Sequence, residues 1–215
     1  MNRRSFLRKV LYVCGTACFV PDLITIQNVE AAVRRSQQQK KTDVKTTTMT
    51  TKWGTKSSVH IEETHLQFRS LENRTATNMI VIHHVGGTDR DVSAAEIHQW
   101  HLDNGWAGIG YHYVIRKNGT IERGRPPDTI GAHCYGYNRT SVGINVVGNF
   151  EEAEPTAAQI TSLVALTAMV CRFYRIDPAA SDTIFGHRDL NSTACPGQNL
   201  YDMLGDVRSG IVQAM

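Results

Sequence analysis

The strongest constraint on the fold is a short apolar run at residues 79–82 that is directly followed by His83 and His84. A continuous run of mostly β-branched residues is typical of a central strand that is covered on both faces. In α/β proteins, functional side chains collect where such strands end. The sequence therefore predicts a central strand that delivers a histidine to a site at its carboxyl end.

Two helix starts carry capping-box signals. Ser93 is followed three residues later by Glu96, and Thr156 is followed by Gln159, so each pair predicts the first turn of an amphipathic helix. Apolar residues at helical spacing over 200–211 predict that the chain closes with a further amphipathic helix.

The remaining elements read as strands. Residues 111–116 and 120–123 flank Asn118 and Gly119, a pair that favours a hairpin with a type I′ turn. Further β-rich runs lie at 142–147 and 184–185. Strands alternating with helices in this order predict an α/β fold with a single mixed β-sheet flanked by helices.

The N-terminal 31 residues have the pattern of an export signal. Arg3 and Arg4 precede a short apolar run at residues 10–20, and the small residue Ala31 ends the segment. This resembles a twin-arginine signal peptide, and it predicts export to the periplasm, the cell envelope or the exterior. The alternative is a basic arm that is never cleaved.

Composition separates a tail from a folded part. Residues 32–57 are rich in Gln, Lys and Thr and predict a polar linker, which leaves 58–215 as one domain. Residues 57–215 hold 12 basic and 17 acidic side chains, a formal charge of −5, which argues against a nucleic-acid partner. Because no apolar run approaches about 18 residues, we expect no transmembrane segment.

Three cysteines fall in the predicted domain. An odd number does not indicate a disulfide framework, although Cys134 and Cys171 could pair in an oxidising compartment. The reading we favour treats Cys171 as a small buried hydrophobe. Cys195 then remains available for a functional site.

The strongest candidate metal site combines His83 with His187 and Cys195. Two nitrogens and a thiolate suit zinc, and three protein ligands leave the open fourth position of a catalytic site. His98 and His101 are the alternative pair, spaced i, i+3 on a helix. They have no obvious third ligand nearby.

Six short motifs follow one another along the predicted domain. They are Ile82-His83-His84, Gly105-Trp106 with 108–112, Gly131-Ala132-His133, Gly136-Tyr137-Asn138, Gly143-Ile144 with 148–150, and 186–189 with Thr193 and 195–197. In this order they resemble the zinc N-acetylmuramoyl-L-alanine amidases related to bacteriophage lysozyme-type amidases and animal peptidoglycan recognition proteins. The resemblance spans residues 78–205.

The resemblance implies one zinc ion per chain, held by His83, His187 and Cys195. It implies that Tyr111 and Thr193 are catalytic, with Thr193 at the position where the phage enzymes have a lysine and the recognition proteins often a threonine. A threonine hydroxyl can donate a hydrogen bond to a developing oxyanion, but it lacks the positive charge of lysine.

The resemblance also implies a substrate. His133, Tyr137 and Asn138 match positions that line the cleft, and the partner is peptidoglycan, a muramyl peptide cleaved between N-acetylmuramic acid and L-alanine. We expect a monomer. A binding module without hydrolysis is the alternative, and Cys195 argues against it because binding-only members usually lack that ligand. The export signal argues against a cytosolic recycling enzyme.

Overall fold

The domain is built around a five-stranded sheet with the order β3-β2-β4-β1-β5 in a computed structural model that describes residues 59–215. The strands are β1 Met79–His84, β2 Tyr113–Ile115, β3 Ile121–Arg123, β4 Ser141–Val146 and β5 Ile184–Gly186. The helices are α1 Ala94–Asp103, α2 Ala157–Tyr174, α3 Gln198–Asp202 and α4 Leu204–Ala214, with a 3-10 turn at His187–Asp189. The predicted signal peptide and linker lie outside the described residues.

The predicted mixed α/β sheet is confirmed. β1 runs parallel to β4 on one side and to β5 on the other, β2 runs parallel to β4, and β3 is antiparallel to β2. Because β1 is central, its side chains are buried from both faces, as the unbroken apolar run predicts.

The two faces of the sheet differ. One face carries Ile80, Ile82 and Ile144, which pack against α2 and α4 in the main core. The opposite face carries Val114 and His83 and lies under α1 and the loops. By length and composition α2 is also apolar enough to cross a membrane, but its residues Leu163 and Leu166 are fully buried in the main core.

Both predicted capping boxes form. The Ser93 hydroxyl accepts the Glu96 N–H at 3.2 Å, and the Ser93 N–H donates to the Glu96 carboxylate at 3.0 Å. Thr156 and Gln159 make the same reciprocal pair at 3.1 and 3.0 Å. These side chains satisfy backbone donors that the first turn leaves free, so they fix where α1 and α2 begin.

One local prediction is wrong, and the predicted closing amphipathic helix is confirmed over a shorter range. The hairpin turn is not type I′, because only Gly119 has a positive φ, +85°, and its N–H bonds to the Arg116 carbonyl at 2.9 Å. Lys117 and Asn118 are therefore the central residues of a three-residue connection that ends in left-handed glycine. The closing helix is divided at Met203, where α3 ends and α4 begins.

A buried imidazole joins the sheet to the loop beside it. His112 Nδ1 accepts the Gly143 N–H at 3.0 Å, and Nε2 lies 2.9 Å from the Thr129 carbonyl. Arg74 Nη1 lies 2.8 Å from His112 Nε2, but it donates its two hydrogens to the Thr129 and Ser141 carbonyls and has none left for the ring. His112 is therefore the neutral Nε2–H tautomer, and a second proton on Nδ1 would break its bond to β4.

This arrangement predicts acid sensitivity. Burial and then the charge of Arg74, with smaller effects from Arg125 and Arg123, lower the pKa of His112 to about 3. An unfolded histidine titrates near 6.5, so the stability is complete above that pH and is lost as pH falls from about 6.5 towards 3. The loss is up to about 1.4 kcal/mol per pH unit from this one group.

We expect His112→Asn to be less stable than the wild type at pH 8, with a difference that shrinks below pH 6.5. Denaturant unfolding at several pH values measures this, and His60→Asn, at an exposed histidine, is the matched control. A constant difference between His112→Asn and wild type from pH 8 to pH 4 would contradict the account.

Candidate functional site

The register of β1 with β5 brings two histidines together. Ile82 is paired with Gly186, so the residues that follow them, His83 in β1 and His187 at the start of the 3-10 turn, lie side by side with ring centroids 4.5 Å apart. Cys195 arrives on the loop that follows, which is tied back because Arg188 N–H donates to the Cys195 carbonyl at 2.8 Å.

The three predicted ligands form one cluster. One ligand atom each from His83, His187 and Cys195 lies within 4.8 Å of the other two. His83 Nδ1 is 3.6 Å from Cys195 Sγ. A tetrahedral zinc with bonds of about 2.0 Å to nitrogen and about 2.3 Å to sulfur separates such atoms by about 3.5 Å. The donor set and this distance therefore fit a zinc ion.

Without a cation, burial keeps the side chains of His83 and Cys195 neutral. Burial, followed by the nearby His187 and His84, holds the pKa of His83 well below its usual value. Burial also raises the pKa of the Cys195 thiol to about 12, although the His84 N–H donated to its sulfur opposes the rise. A divalent cation inverts this balance, because a coordinating thiol is deprotonated.

A directional hydrogen-bond chain orients His83. His83 Nε2 lies 3.0 Å from His133 Nδ1, and His133 Nε2 lies 3.4 Å from the Ser141 hydroxyl. That hydroxyl donates to the Tyr137 carbonyl at 2.8 Å, so it can only accept from His133. The chain therefore runs from His83 through His133 to Ser141, and it leaves the Nδ1 lone pair of His83 facing Cys195.

A hydrogen bond to a neighbouring side chain also orients His187. Its Nε2 lies 3.1 Å from Asn191 Oδ1, an oxygen that also accepts from the Cys134 thiol at 3.2 Å. A histidine that donates one ring N–H to a neighbouring oxygen presents the other nitrogen as a ligand. Asn191 thus fixes which nitrogen of His187 is available.

A glycine makes room for the chain. A Cβ on Gly143 of β4 would lie 2.5 Å from His133 Cγ, so the ring of His133 packs directly on the strand backbone. Any side chain there would push His133 away from His83. Gly143, which belongs to one of the sequence motifs, therefore allows the His133 ring to lie close to the backbone of β4.

The two predicted catalytic side chains flank the cluster. The Tyr111 ring lies 5.1 Å from the His83 ring, and burial is the main cause that raises its pKa above the usual value. Tyr111 is therefore protonated at neutral pH. The exposed Thr193 hydroxyl accepts the Cys195 N–H at 3.2 Å, which leaves its hydrogen free to donate.

The predicted cleft residues hold a loop together. Asn138 Oδ1 accepts the N–H groups of His133 and Cys134 at 2.8 and 2.9 Å. His133 is buried, whereas Tyr137 and Asn138 are half-buried. Their roles in substrate binding stay predictions.

A small open cavity of about 190 Å³ borders Tyr111. Ile97, Trp100 and His101 of α1 line it together with the loop after β1. Tyr111 is the residue that this cavity shares with the site, since none of the three candidate ligands lines it.

The other candidate ligands are engaged elsewhere. The backbone N–H groups of Ile109 and Gly110 donate to His98 Nδ1 and His101 Nδ1, so these rings brace the chain before β2. His84 Nδ1 accepts the Phe150 N–H at 3.2 Å. Within residues 59–215, Cys134 and Cys171 are free and buried.

Sequence reasoning missed Ser141, Asn191 and Asn145. Ser141 is the first residue of β4, and Asn145 is a polar residue within its apolar run. Because side chains along a strand alternate between the two faces, both project from the face that carries His83. These polar residues in an apolar strand were therefore a signal in the sequence, whereas Asn191 lies in a loop for which the sequence has no such signal.

Comparisons with known proteins identify the family of the chain. The family model described as N-acetylmuramoyl-L-alanine amidase matches residues 73–198. The endolysin of Klebsiella phage KP32 is 37% identical over 133 residues, which are 59% of this chain and 85% of that protein. Peptidoglycan-recognition protein SC2 of Drosophila melanogaster is 36% identical over 129 residues, 57% of this chain and 69% of that protein.

Comparison with solved structures identifies the same family. The N-acetylmuramoyl-L-alanine amidase LysC from Clostridium intestinale has a TM-score of 0.65 at 36% identity, covering 71% of this chain and 97% of that one. Drosophila PGRP-LB has a TM-score of 0.61 at 27% identity, covering 68% and 92%. The chain therefore belongs to the N-acetylmuramoyl-L-alanine amidase family, and it is an amidase that hydrolyses an amide bond of peptidoglycan.

Proposed function

We propose that this amidase is zinc-dependent, that His83, His187 and Cys195 hold one zinc ion, and that the bond cleaved joins N-acetylmuramic acid to L-alanine. The observation that carries the proposal is the convergence of the three ligand atoms within 4.8 Å at the carboxyl ends of β1 and β5. When bound, zinc supplies Lewis acidity, which acidifies water and polarises a carbonyl group.

The side chains around the cluster divide the remaining work. Hydrolysis of an amide adds water across the C–N bond, so the carbonyl oxygen needs stabilisation and the leaving amine needs a proton. Tyr111, which burial keeps protonated and whose ring lies beside His83, would orient the water and relay its proton. The free hydrogen of the Thr193 hydroxyl suits a hydrogen bond to the developing oxyanion.

The ligand-orienting residues act before the reaction. His133 and Ser141 hold His83 in one tautomer, and Asn191 does the same for His187. A preformed set of lone pairs lowers the reorganisation that metal binding requires.

A binding module without hydrolysis is the second candidate, because peptidoglycan recognition proteins are among the relatives. The complete ligand set, with the Cys195 sulfur 3.6 Å from His83 Nδ1, favours the hydrolase. We propose that His133, Tyr137 and Asn138 contribute to the substrate cleft and that the enzyme acts as a monomer.

Cys195→Ser tests the metal assignment. A serine hydroxyl is a poor zinc ligand at neutral pH, so zinc and hydrolysis should be lost together while binding to sacculi largely persists. Metal analysis, sacculus turnover and pull-down measure this on one preparation. Cys171→Ala, at the buried cysteine of α2, is the control and should keep both. A variant with one zinc per chain and near-normal turnover would redirect the search to His98 and His101.

Tyr111→Phe tests the proton relay. The change removes only the hydroxyl, so kcat should fall roughly 10² to 10⁴-fold while zinc content and KM stay near the wild-type values. Steady-state kinetics on a soluble muramyl peptide measure the split. An unchanged kcat would remove Tyr111 from the mechanism.

The predicted export signal is tested by a separate experiment. We propose that residues 1–31 direct export through the twin arginines, that 32–57 is a spacer, and that the enzyme works in the periplasm, the cell envelope or the exterior. Replacing Arg3 and Arg4 by lysine should abolish the processed extracytoplasmic form seen on immunoblots of cell fractions. Undiminished export would indicate another route.

A further inference from the structure

Asn145 is a buried amide in the middle of the sheet. Its side chain is fully buried, and neither Nδ2 nor Oδ1 completes a hydrogen bond with another atom of residues 59–215. Buried polar groups in native proteins are nearly always paired, so an unpaired amide requires an explanation.

The register places this amide at the candidate active site. Asn145 is the partner of His83 in β1 and of Val114 in β2. Partnered residues of neighbouring strands project from the same face of a sheet, so Asn145 projects from the face that carries His83. The strand position is thus next to the reacting groups rather than in the main core.

Asn145 and Tyr111 both lie beside His83, since Asn145 is its partner on the neighbouring strand and the Tyr111 ring is 5.1 Å from the His83 ring. The amide is thereby a neighbour of the phenol, and it opposes the rise in the pKa of Tyr111 that burial causes. No completed hydrogen bond joins the two groups. Contacts of catalytic groups commonly tighten only when substrate is bound.

We propose that Asn145 is a positioning residue for Tyr111, with its Nδ2–H directed at the phenol oxygen. A phenol oxygen that accepts from Asn145 keeps its own hydrogen free to point at the substrate or at water. A phenol without that partner has a hydroxyl that rotates freely. This inference rests on the proposed catalytic role of Tyr111, and it explains why a hydrophobic residue is absent from this strand position.

Asn145→Leu separates a working amide from a structural one. Leucine has a similar shape and removes both unpaired atoms, so thermal stability should hold or rise. We expect kcat to fall about tenfold or more, with KM and zinc content unchanged. Should leucine destabilise the fold, Asn145→Ala removes the same amide without branching and repeats the test.

The matched control is Thr167→Val. The Thr167 hydroxyl in α2 is likewise buried without a partner among the described residues, but α2 covers the opposite face of the sheet. This substitution should hold or raise stability and leave kcat unchanged.

A double-mutant cycle identifies the group through which Asn145 acts. In a Tyr111→Phe background, Asn145→Leu should cause no further loss of kcat, because the hydroxyl that it orients is gone. An equal loss in both backgrounds, or an unchanged kcat in Asn145→Leu alone, would overturn the inference. If Tyr111→Phe itself keeps full kcat, the proposed role of Tyr111 fails first, which separates the two outcomes.

Discussion

The parallel pairing of β1 with both β4 and β5 is the constraint on which the site depends. Parallel strands end at the same edge, so His83 at the end of β1 and His187 after β5 meet without any long side chain or distorted loop. The same pairing sets Asn145 beside His83 and Gly143 beside Val81. A shift of β5 by one residue would turn one histidine to the other face and separate the ligand atoms.

Burial makes this geometry chemically useful. The site face of the sheet holds neutral imidazoles whose protons are assigned by their partners, as in the chain from His83 to His133 and Ser141. Low-dielectric surroundings strengthen such hydrogen bonds and penalise any charge that lacks a partner. The same burial that keeps His83 neutral therefore prepares it to bind a cation, and it makes the unpaired Asn145 amide unusual.

The sequence was informative where a signal is local or periodic. The apolar run before His83 predicted the central strand, and the Ser93 and Thr156 boxes predicted two helix starts, because each of these depends on residues a few positions apart. The turn at Asn118 was misjudged because dipeptide preference does not report how many residues the connection uses. Asn191 depends on a loop brought to His187 by tertiary folding, for which no pattern exists in the sequence.

The cavity beside Tyr111 and the candidate metal ligands come from different parts of the fold. The cavity beside Tyr111 is lined by α1 and the loop after β1, whereas the metal-ligand candidates come from the ends of β1 and β5 and the loop at Cys195. The α1 side of the cavity is fixed separately, because the rings of His98 and His101 accept backbone N–H groups of the chain before β2. Changes among the metal-ligand candidates therefore need not disturb the cavity. A change at Cys195 can therefore remove one ligand atom of the cluster and leave the walls of this cavity in place.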